Sequence, residues 1–252
     1  YEYQCNKGTN IKKETAEKIG DEAKKAGIRL SIHAPYYINL SSAEELKREN
    51  SIQYILNTCR IAKWMGADRI IIHPGSVGKL TREKAMMTAL PVLAETIRRA
   101  DSQGFSGITL CPEVLDKINN LGSLDEVITM CGLDERMIPC VDFGHIHART
   151  LGSLKGTDDY NAIFDKIENS LGTERARKLH IHFSRIEFTQ AGEKKHHTLK
   201  DTEYGPEFED LARVLAERKA EPVIICESRN RMAEDAVIMK EIYEKVKNEM
   251  SI

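Results

Sequence analysis

The stretch "SIHAPYYINL", residues 31–40, contains the pattern that organises this chain. A short run with alternating apolar residues, Ile28–Ile32, predicts a strand. The strand leads directly into His33, and a proline, two tyrosines and a polar turn follow. A single strand that ends on an imidazole means little. The arrangement becomes informative because it recurs along the chain.

Strands and helices alternate in the predicted secondary structure. Seven short apolar runs predict strands, at Tyr1–Cys5, Ile28–Ile32, Arg69–Ile72, Gly107–Cys111, Met137–Val141, Lys178–Phe183 and Pro222–Cys226. Longer charged stretches predict helices, at Ser42–Met65, Thr81–Ser102, Ser123–Cys131, Tyr160–Leu171, Glu207–Lys219 and Ala233–Asn248. Pro91 predicts a kink or a break in the second helix. This alternation is typical of βα units and a parallel sheet.

A (β/α)8 TIM barrel is the fold that best fits these units. The barrel needs eight strands in about 250 residues, and seven are visible in a chain of 252 residues. We therefore predict one barrel domain over residues 1–252, with its first strand outside the sequence. The alternative is a doubly wound open sheet, but the chain contains no G-x-G-x-x-G phosphate loop.

Composition places the chain among ordinary globular proteins. Hydrophobic residues make up 41% and charged residues 30% of the chain, and no run approaches the eighteen apolar residues of a membrane span. The six cysteines are scattered without a C-x-x-C pair, which favours a reduced, cytoplasmic protein. Because the net charge is −2, any surface that binds nucleic acid must be locally basic.

Metal-binding residue types follow or end six of the seven predicted strands. They are His33, His73, Glu113, Asp142 with His145, His180 with His182, and Glu227. All eight histidines lie near these strand ends or in the loops after them, and none lies in a predicted helix. The carboxyl ends of barrel strands converge on the face that carries active sites. Imidazoles and carboxylates there predict an N/O site such as zinc, and their number favours two or three ions.

Several of these polar residues keep alternative interpretations. His147 and His197 each neighbour a better candidate and suit surface or supporting positions. His180 and His182 share a strand face, so one of them suits a ligand and the other a deeper layer of the barrel. Tyr36, in the loop after His33, suits either ordinary packing or contact with a nucleotide base.

Six motifs resemble the endonuclease IV family in order and spacing. They are "HAPYYINL", "IIIHPGS", "CPE", "VDFGHIHA", "HIHF" with "KKHHTL", and "IICES". That family comprises metal-dependent apurinic/apyrimidinic endonucleases of the xylose-isomerase-like barrel superfamily. The resemblance extends from Tyr1 to about Ile242, which is nearly the whole chain.

The resemblance implies three zinc ions, with manganese as the alternative metal, and assigns their ligands. His33 and His73 would hold the first ion, and Glu113, the implied catalytic residue, would bridge it to the second. The other implied ligands are Asp142, His182 and Glu227 for the second ion and His145 and His196 for the third. Tyr36 is similar to the family's tyrosine that enters the gap near the abasic nucleotide. Arg185 and Lys194 are further candidate contacts to the phosphates of damaged duplex DNA.

Three segments depart from the family pattern, and one of them is "CNKGTN", which follows the first strand and differs from the family's usual DNA-contacting loop. The family's third site uses an aspartate two residues before its last histidine, where this chain has Lys194. A charged lysine cannot replace a carboxylate ligand. Glu193, Glu187 or Asp201 would be the substitutes, or the third ion would be lost. Ser184-Arg185 stands where the family has Asn-Asp.

The leading functional hypothesis is a monomeric DNA repair phosphodiesterase that cleaves 5′ to abasic sites. The alternative is a metal-dependent sugar isomerase or epimerase of the same superfamily, which the loss of the third site's aspartate favours. A third hypothesis is a non-enzymatic protein that binds damaged DNA. Bound metal discriminates among them: three ions favour the phosphodiesterase, one or two the sugar enzyme, and none the binding protein.

Overall fold

The computed structural model describes residues 1–6 and 8–250. The chain divides into two compact units. The first unit comprises Tyr1–Glu113 and Asn119–Ile138, and the second comprises Val114–Ile118 and Pro139–Ile252. The prediction of one barrel domain over residues 1–252 stays a prediction at this level.

The first unit contains four parallel strands, each joined to the next by a helix. Its elements are β1 (Glu2–Gln4), α1 (Lys13–Lys25), β2 (Ser31–His33), α2 (Glu45–Met65), β3 (Arg69–Ile72), α3 (Arg82–Ser102), β4 (Thr109–Pro112) and α4 (Leu124–Cys131). The strand order β1-β2-β3-β4 follows the chain without a reversal. A doubly wound sheet requires a reversal of strand order, so this unit is wound in the sense of a barrel.

The second unit contains three parallel strands and a separate hairpin. Its elements are β5 (Cys140–Asp142), α5 (Phe143–Arg149), α6 (Thr157–Leu171), α7 (Thr173–Arg177), β6 (His180–Phe183), β7 (Arg185–Thr189), β8 (Gly192–His197), α8 (Phe208–Glu217), β9 (Val223–Cys226) and α9 (Met232–Glu249). The parallel sheet has the order β5-β6-β9, and β7 and β8 pair in antiparallel fashion.

Local sequence explains where the longer helices begin and end. The side chain of Thr81 caps α3 by accepting a hydrogen bond from the Lys84 amide, and Gly66 ends α2 in the left-handed conformation that favours glycine. α3 runs through Pro91 as one helix. Proline removes the hydrogen bond to the carbonyl of Met87, four residues earlier, but Met87 is exposed, so water can reach that carbonyl. The predicted break at Pro91 therefore does not occur.

Three helices, α1, α5 and α7, and the β7–β8 hairpin were not predicted from the sequence. In α1 only Ala16 is fully buried, and the apolar face of Ala16, Ile19, Gly20 and Ala23 consists mostly of small residues, so its pattern is weak among the charged side chains. α5 and α7 are too short to show a period, with seven and five residues. β7 (RIEFT) alternates polar and apolar residues but follows β6 after a single residue, Ser184, and β8 (GEKKHH) has no apolar side chain, so neither stands out as a separate strand. One expectation was wrong because of α5: His145 and His147 lie in a helix. Among the described residues, no helix is long and apolar enough to cross a membrane.

Candidate metal centre

The first unit brings His33, His73 and Glu113 together at the carboxyl ends of β2, β3 and β4. His33 is the last residue of β2, and the register pairs Ile71 with Cys111, two residues before His73 and Glu113. Nε2 of His33 and Nε2 of His73 each lie 3.0 Å from the same oxygen, Oε2 of Glu113. The two imidazole rings meet edge to face, with centroids 4.9 Å apart. The strand register therefore brings three possible ligand atoms close together, two imidazole nitrogens and one carboxylate oxygen.

The hydrogen bond on the far side of His33 favours a cation at this point. Nδ1 of His33 lies 2.8 Å from the carbonyl oxygen of Ala34. Because a carbonyl can only accept, Nδ1 carries the proton, and Nε2 of a neutral ring then presents a lone pair. That lone pair faces a carboxylate oxygen of Glu113, which is only 1% exposed. A proton or a metal ion between them removes the repulsion, so the residues fit a metal.

A close backbone approach positions the loop that follows His73. Gly75 has a φ of +117°, and a Cβ atom there would lie 2.3 Å from Oδ1 of Asn39. The same oxygen accepts hydrogen bonds from the Ser76 amide at 3.3 Å and the Ser41 hydroxyl at 2.9 Å. The glycine of "HPGS" is therefore required by packing, and Asn39 ties the loops after β2 and β3 together.

The second unit groups Asp142, His182 and Glu227 at the ends of β5, β6 and β9. Asp142 and His182 are register partners, with Oδ2 of the aspartate 4.0 Å from Nδ1 of the histidine. Oε1 of Glu227 lies 3.4 Å from the same nitrogen. His182 is fully buried and Asp142 is 1% exposed. Two carboxylates around one imidazole form a donor set that suits a divalent first-row metal.

A further group in the second unit joins His145 and His196 to Glu193. Nε2 of His145 lies 3.5 Å from Oε2 of Glu193, and Nε2 of His196 lies 3.3 Å from Oε1. Nδ1 of His145 donates to the Val114 carbonyl at 3.0 Å, and Nδ1 of His196 lies 2.7 Å from the Ser184 hydroxyl. These bonds aim both Nε2 atoms at the carboxylate, the arrangement in which supporting hydrogen bonds orient metal ligands.

The charges in this third group stabilise one another. Hydrogen bonds from His145 and His196 hold the pKa of Glu193 well below its ordinary value, although partial burial acts in the opposite direction. Burial tends to lower the pKa of His196, but Glu193, Glu227 and Asp142 outweigh it, and the pKa is raised. The Glu193 carboxylate therefore stays ionised, which is the form that can bind a metal ion.

A β-bulge decides which carboxylate joins the third group. Glu187 pairs with Lys195 and Phe188 pairs with Glu193, so Lys194 is an extra residue in β8. In a regular strand, residues three apart face opposite sides, and one inserted residue restores them to the same side. The bulge therefore places Glu193 on the face of His196.

The other two candidate substitutes lie in different contacts. Glu187 pairs with the exposed amino group of Lys194 and with His197, and Asp201 bonds to Thr198. Of the three candidates, Glu193 is therefore the one that lies against His145 and His196. The sequence left the three alternatives open because a bulge carries no clear sequence signal.

The predicted DNA contacts lie in contrasting environments. Tyr36 is 60% exposed and packs edge to face on Tyr37, with centroids 5.6 Å apart. Arg185 is instead buried, and its guanidinium donates two hydrogen bonds of 2.6 Å to Glu207 and another to the Tyr204 carbonyl. These bonds occupy the fork that would bind a phosphate, so the geometry favours a structural role for Arg185.

His147 and His197 lie outside the three groups, in contacts that suit a structural role. His147 is buried in α5 against the ring of Phe188, and burial lowers its pKa, with a smaller contribution from the charge of Lys155. His197 stacks on Tyr204 at 3.9 Å between centroids and lies between Glu187 and Asp201. Both placements agree with supporting rather than ligating positions.

Comparisons with known proteins agree with this architecture. A family profile described as "Xylose isomerase-like TIM barrel" matches residues 2–245. An uncharacterized protein of Methanocaldococcus jannaschii is 31% identical over 242 residues, which cover 96% of this chain and 86% of that protein. A probable endonuclease 4 of Mycoplasma genitalium is 28% identical over 158 residues, which cover 62% of this chain and 52% of that protein.

Solved structures show the same fold. A D-tagatose 3-epimerase-like protein superposes with a TM-score of 0.76 and 19% identity, over 100% of this chain and 90% of the other. Endonuclease IV from Thermus thermophilus superposes with a TM-score of 0.67 and 21% identity, over 95% and 83%. The barrel predicted from the alternating elements is thereby confirmed, and the chain belongs to the xylose isomerase-like TIM barrel family.

Proposed function

We propose that this protein is a metal-dependent phosphodiesterase that cleaves DNA on the 5′ side of abasic sites. The single observation that carries the proposal is the third group, in which Glu193 completes a ligand set with His145 and His196. With it, the ligand groups number three, which exceeds the one or two ions expected of a sugar isomerase or epimerase. Resemblance to endonuclease 4 over part of the chain supports the same function.

Zinc is the metal that the donor sets suit best. Each group combines imidazole nitrogen with carboxylate oxygen, and none of the three contains a thiolate. When bound, divalent ions would orient the scissile phosphate, lower the pKa of the attacking water and neutralise the leaving oxygen. We propose two or three ions, with manganese as the alternative.

The chain's own residues hold and orient the reacting groups. Nε2 of His33 and Nε2 of His73 both lie 3.0 Å from one buried oxygen of Glu113, so the carboxylate is directed at whatever cation these three residues hold. The bridging role that the resemblance implies for Glu113 stays a prediction. Tyr36, whose ring is largely exposed, suits insertion into the gap at an abasic nucleotide. The exposed amino group of Lys194 suits a nearby phosphate.

The second candidate is a metal-dependent sugar isomerase or epimerase. The observation that favours it is the Asp142, His182 and Glu227 group, because two carboxylates can hold one metal and still move a proton on a small sugar. The absence of an aspartate at Lys194 also favoured it. Glu193 supplies the missing carboxylate, so that second argument loses its force.

An incision assay with metal analysis tests the proposal. The protein, loaded with zinc, is mixed with an end-labelled duplex that carries one abasic site, beside chelated protein and Glu113→Gln protein. We expect metal-dependent incision 5′ to the lesion, with the variant reduced by at least about a hundredfold. Glu187→Gln is the matched control, because it removes the same charge outside all three groups.

The outcomes separate the three hypotheses. Incision at full rate by folded Glu113→Gln protein would overturn the role of that residue. A folded, metal-loaded wild-type protein that leaves the duplex intact but isomerises ketoses would establish the sugar enzyme. Lesion-specific binding without either reaction, from protein that holds no metal, would establish a binding protein.

A further inference from the structure

A second set of metal-binding side chains lies deeper in the second unit, beside the outer group of Asp142, His182 and Glu227. Cys140, His180 and His182 each offer a ligand atom, and these atoms lie within 4.8 Å of one another. All three residues are fully buried. We refer to them below as the inner group. His180 and Cys140 belong to neither the outer group nor the third group.

Strand geometry places the inner group on one face of the sheet. Cys140 and His180 are direct register partners on β5 and β6, so their side chains point the same way. His182 lies two residues after His180 and therefore shares that face. The rings of the two histidines meet edge to face, with centroids 5.3 Å apart. The convergence is a property of two adjacent strands and does not depend on a loop.

On the neighbouring strand β9, the same face of the sheet carries residues that serve only in packing. The register partners of His180 and His182 on β9 are Val223 and Ile225, both apolar and β-branched. Burying an imidazole in place of such a residue costs free energy unless a specific interaction compensates it. β5 and β6 instead place two imidazoles and a thiol together on this face, and these three side chains form a donor set that one metal ion can share.

The chemistry of the inner group selects a thiophilic cation. Thiolate and imidazole together favour cations softer than zinc, such as cadmium or copper(I), over magnesium, calcium or manganese. In a tetrahedral zinc complex with ordinary bond lengths, ligand atoms are about 3.5 Å apart. The observed upper limit of 4.8 Å needs only a small inward movement of the side chains. Binding would release the proton of the Cys140 thiol to the solvent.

We propose that Cys140, His180 and His182 form a site for a thiophilic d10 cation. His182 also faces the outer group, with Nδ1 at 3.4 Å from Glu227. A neutral imidazole offers one nitrogen lone pair, because its other ring nitrogen carries the proton, so an ion in the inner group withdraws His182 from the outer one. The inner site is thereby an inhibitory site for soft metals, a consequence that rests on the proposed function, whereas the binding itself does not.

Cadmium alone is the probe, because its thiolate bond gives an ultraviolet charge-transfer band. Metal-free, reduced protein is titrated with Cd²⁺ in the absence of DNA, and the absorbance of one thiolate bond is expected. Cys140→Ser should abolish the band, and His180→Gln should weaken Cd²⁺ binding by about tenfold or more. Cys226→Ser is the matched control, since Cys226 is buried on β9 of the same unit and its sulfur contacts the Ser228 hydroxyl.

Thermal melting establishes that each variant is folded before the band is measured. An unchanged band in folded Cys140→Ser protein, or no band in folded, reduced wild-type protein, would overturn the site. In a second arm, one equivalent of Cd²⁺ is added to zinc-loaded protein in the incision assay. We expect inhibition of the wild type and much weaker inhibition of Cys140→Ser. Equal inhibition of the wild type and of Cys140→Ser would overturn the shared role of His182. A cadmium band in protein that shows no incision would support the inner site and refute the proposed function.

Discussion

Replacement of Glu193 by glutamine tests the third group most directly. The substitution keeps the size of the side chain and removes its charge. In the structure, each oxygen of Glu193 faces one imidazole nitrogen, His145 at 3.5 Å and His196 at 3.3 Å. An amide cannot serve both contacts as an anion does, because one of its two ends is a donor. We expect Glu193→Gln to lose one bound zinc ion per chain.

The magnitude follows from the charge of the carboxylate. In a loaded site the imidazole nitrogens would bind the cation, so the contacts of Glu193 with the two histidines do not carry over, and its own contact with the cation decides the affinity. A contact to a charged group contributes about 1.5–3 kcal/mol, which corresponds to about 10–100-fold in the dissociation constant of a cation in this group.

Isothermal titration with zinc, together with elemental analysis of dialysed protein, measures the effect. Glu187→Gln serves as the control, because that carboxylate lies on the same hairpin but pairs with Lys194 and His197. The control should retain the wild-type stoichiometry and affinity. The reasoning would be refuted if Glu193→Gln bound zinc like the wild type, or if Glu187→Gln were the variant that lost an ion.

Three other perturbations have defined outcomes. Ser184→Ala removes the hydroxyl that orients His196, so zinc affinity of the third group should fall by about 10–100-fold in the same titration, while urea unfolding of the metal-free protein changes little. Arg185→Gln removes the bonds to Glu207, so the free energy of unfolding in urea should fall by about 1–3 kcal/mol. The salt dependence of DNA binding should stay unchanged; a weaker salt dependence would instead support the predicted phosphate contact of Arg185. The pKa of Glu126 is about 2, because bonds from Arg82, Gly122 and Ser123 outweigh its burial, and its unfolded value is near 4.5. Its stabilisation is therefore complete above about pH 4.5 and lost as pH falls towards 2, a component of acid unfolding that Glu126→Gln should lack.

The amino-acid sequence by itself determined the parallel strands and most of the helices. The strand Arg69–Ile72 was predicted with its observed bounds, because a β-branched apolar run is bounded there by a helix-ending glycine and by His73-Pro74-Gly75. Predicted and observed strands differ at Ile28–Ile32, where the strand is Ser31–His33 and Ile28 is exposed. Hydrophobic pattern locates a strand well and its first residue poorly, because strand ends depend on pairing.

Metal-binding residue types at strand ends were equally visible in the sequence. In parallel βα units those ends lie on one side, so His33, His73 and Glu113 could be expected to meet without knowledge of any distance. Asp142 and His182 were likewise placed at strand ends, and the strand register makes them direct neighbours. The position of a residue at a strand end was sufficient there, because parallel strands in register place their ends side by side.

Only the tertiary structure decided which carboxylate completes the third group and which partner holds Arg185. Glu193 lies on the same face as His196 because of a bulge at Lys194. No residue type at that position predicts a bulge. Arg185 is held by Glu207, a partner 22 residues along the chain. Cys140 and His180 became neighbours through strand pairing. These outcomes depend on which residues the folded backbone brings together across long separations, and periodicity along the sequence does not encode them.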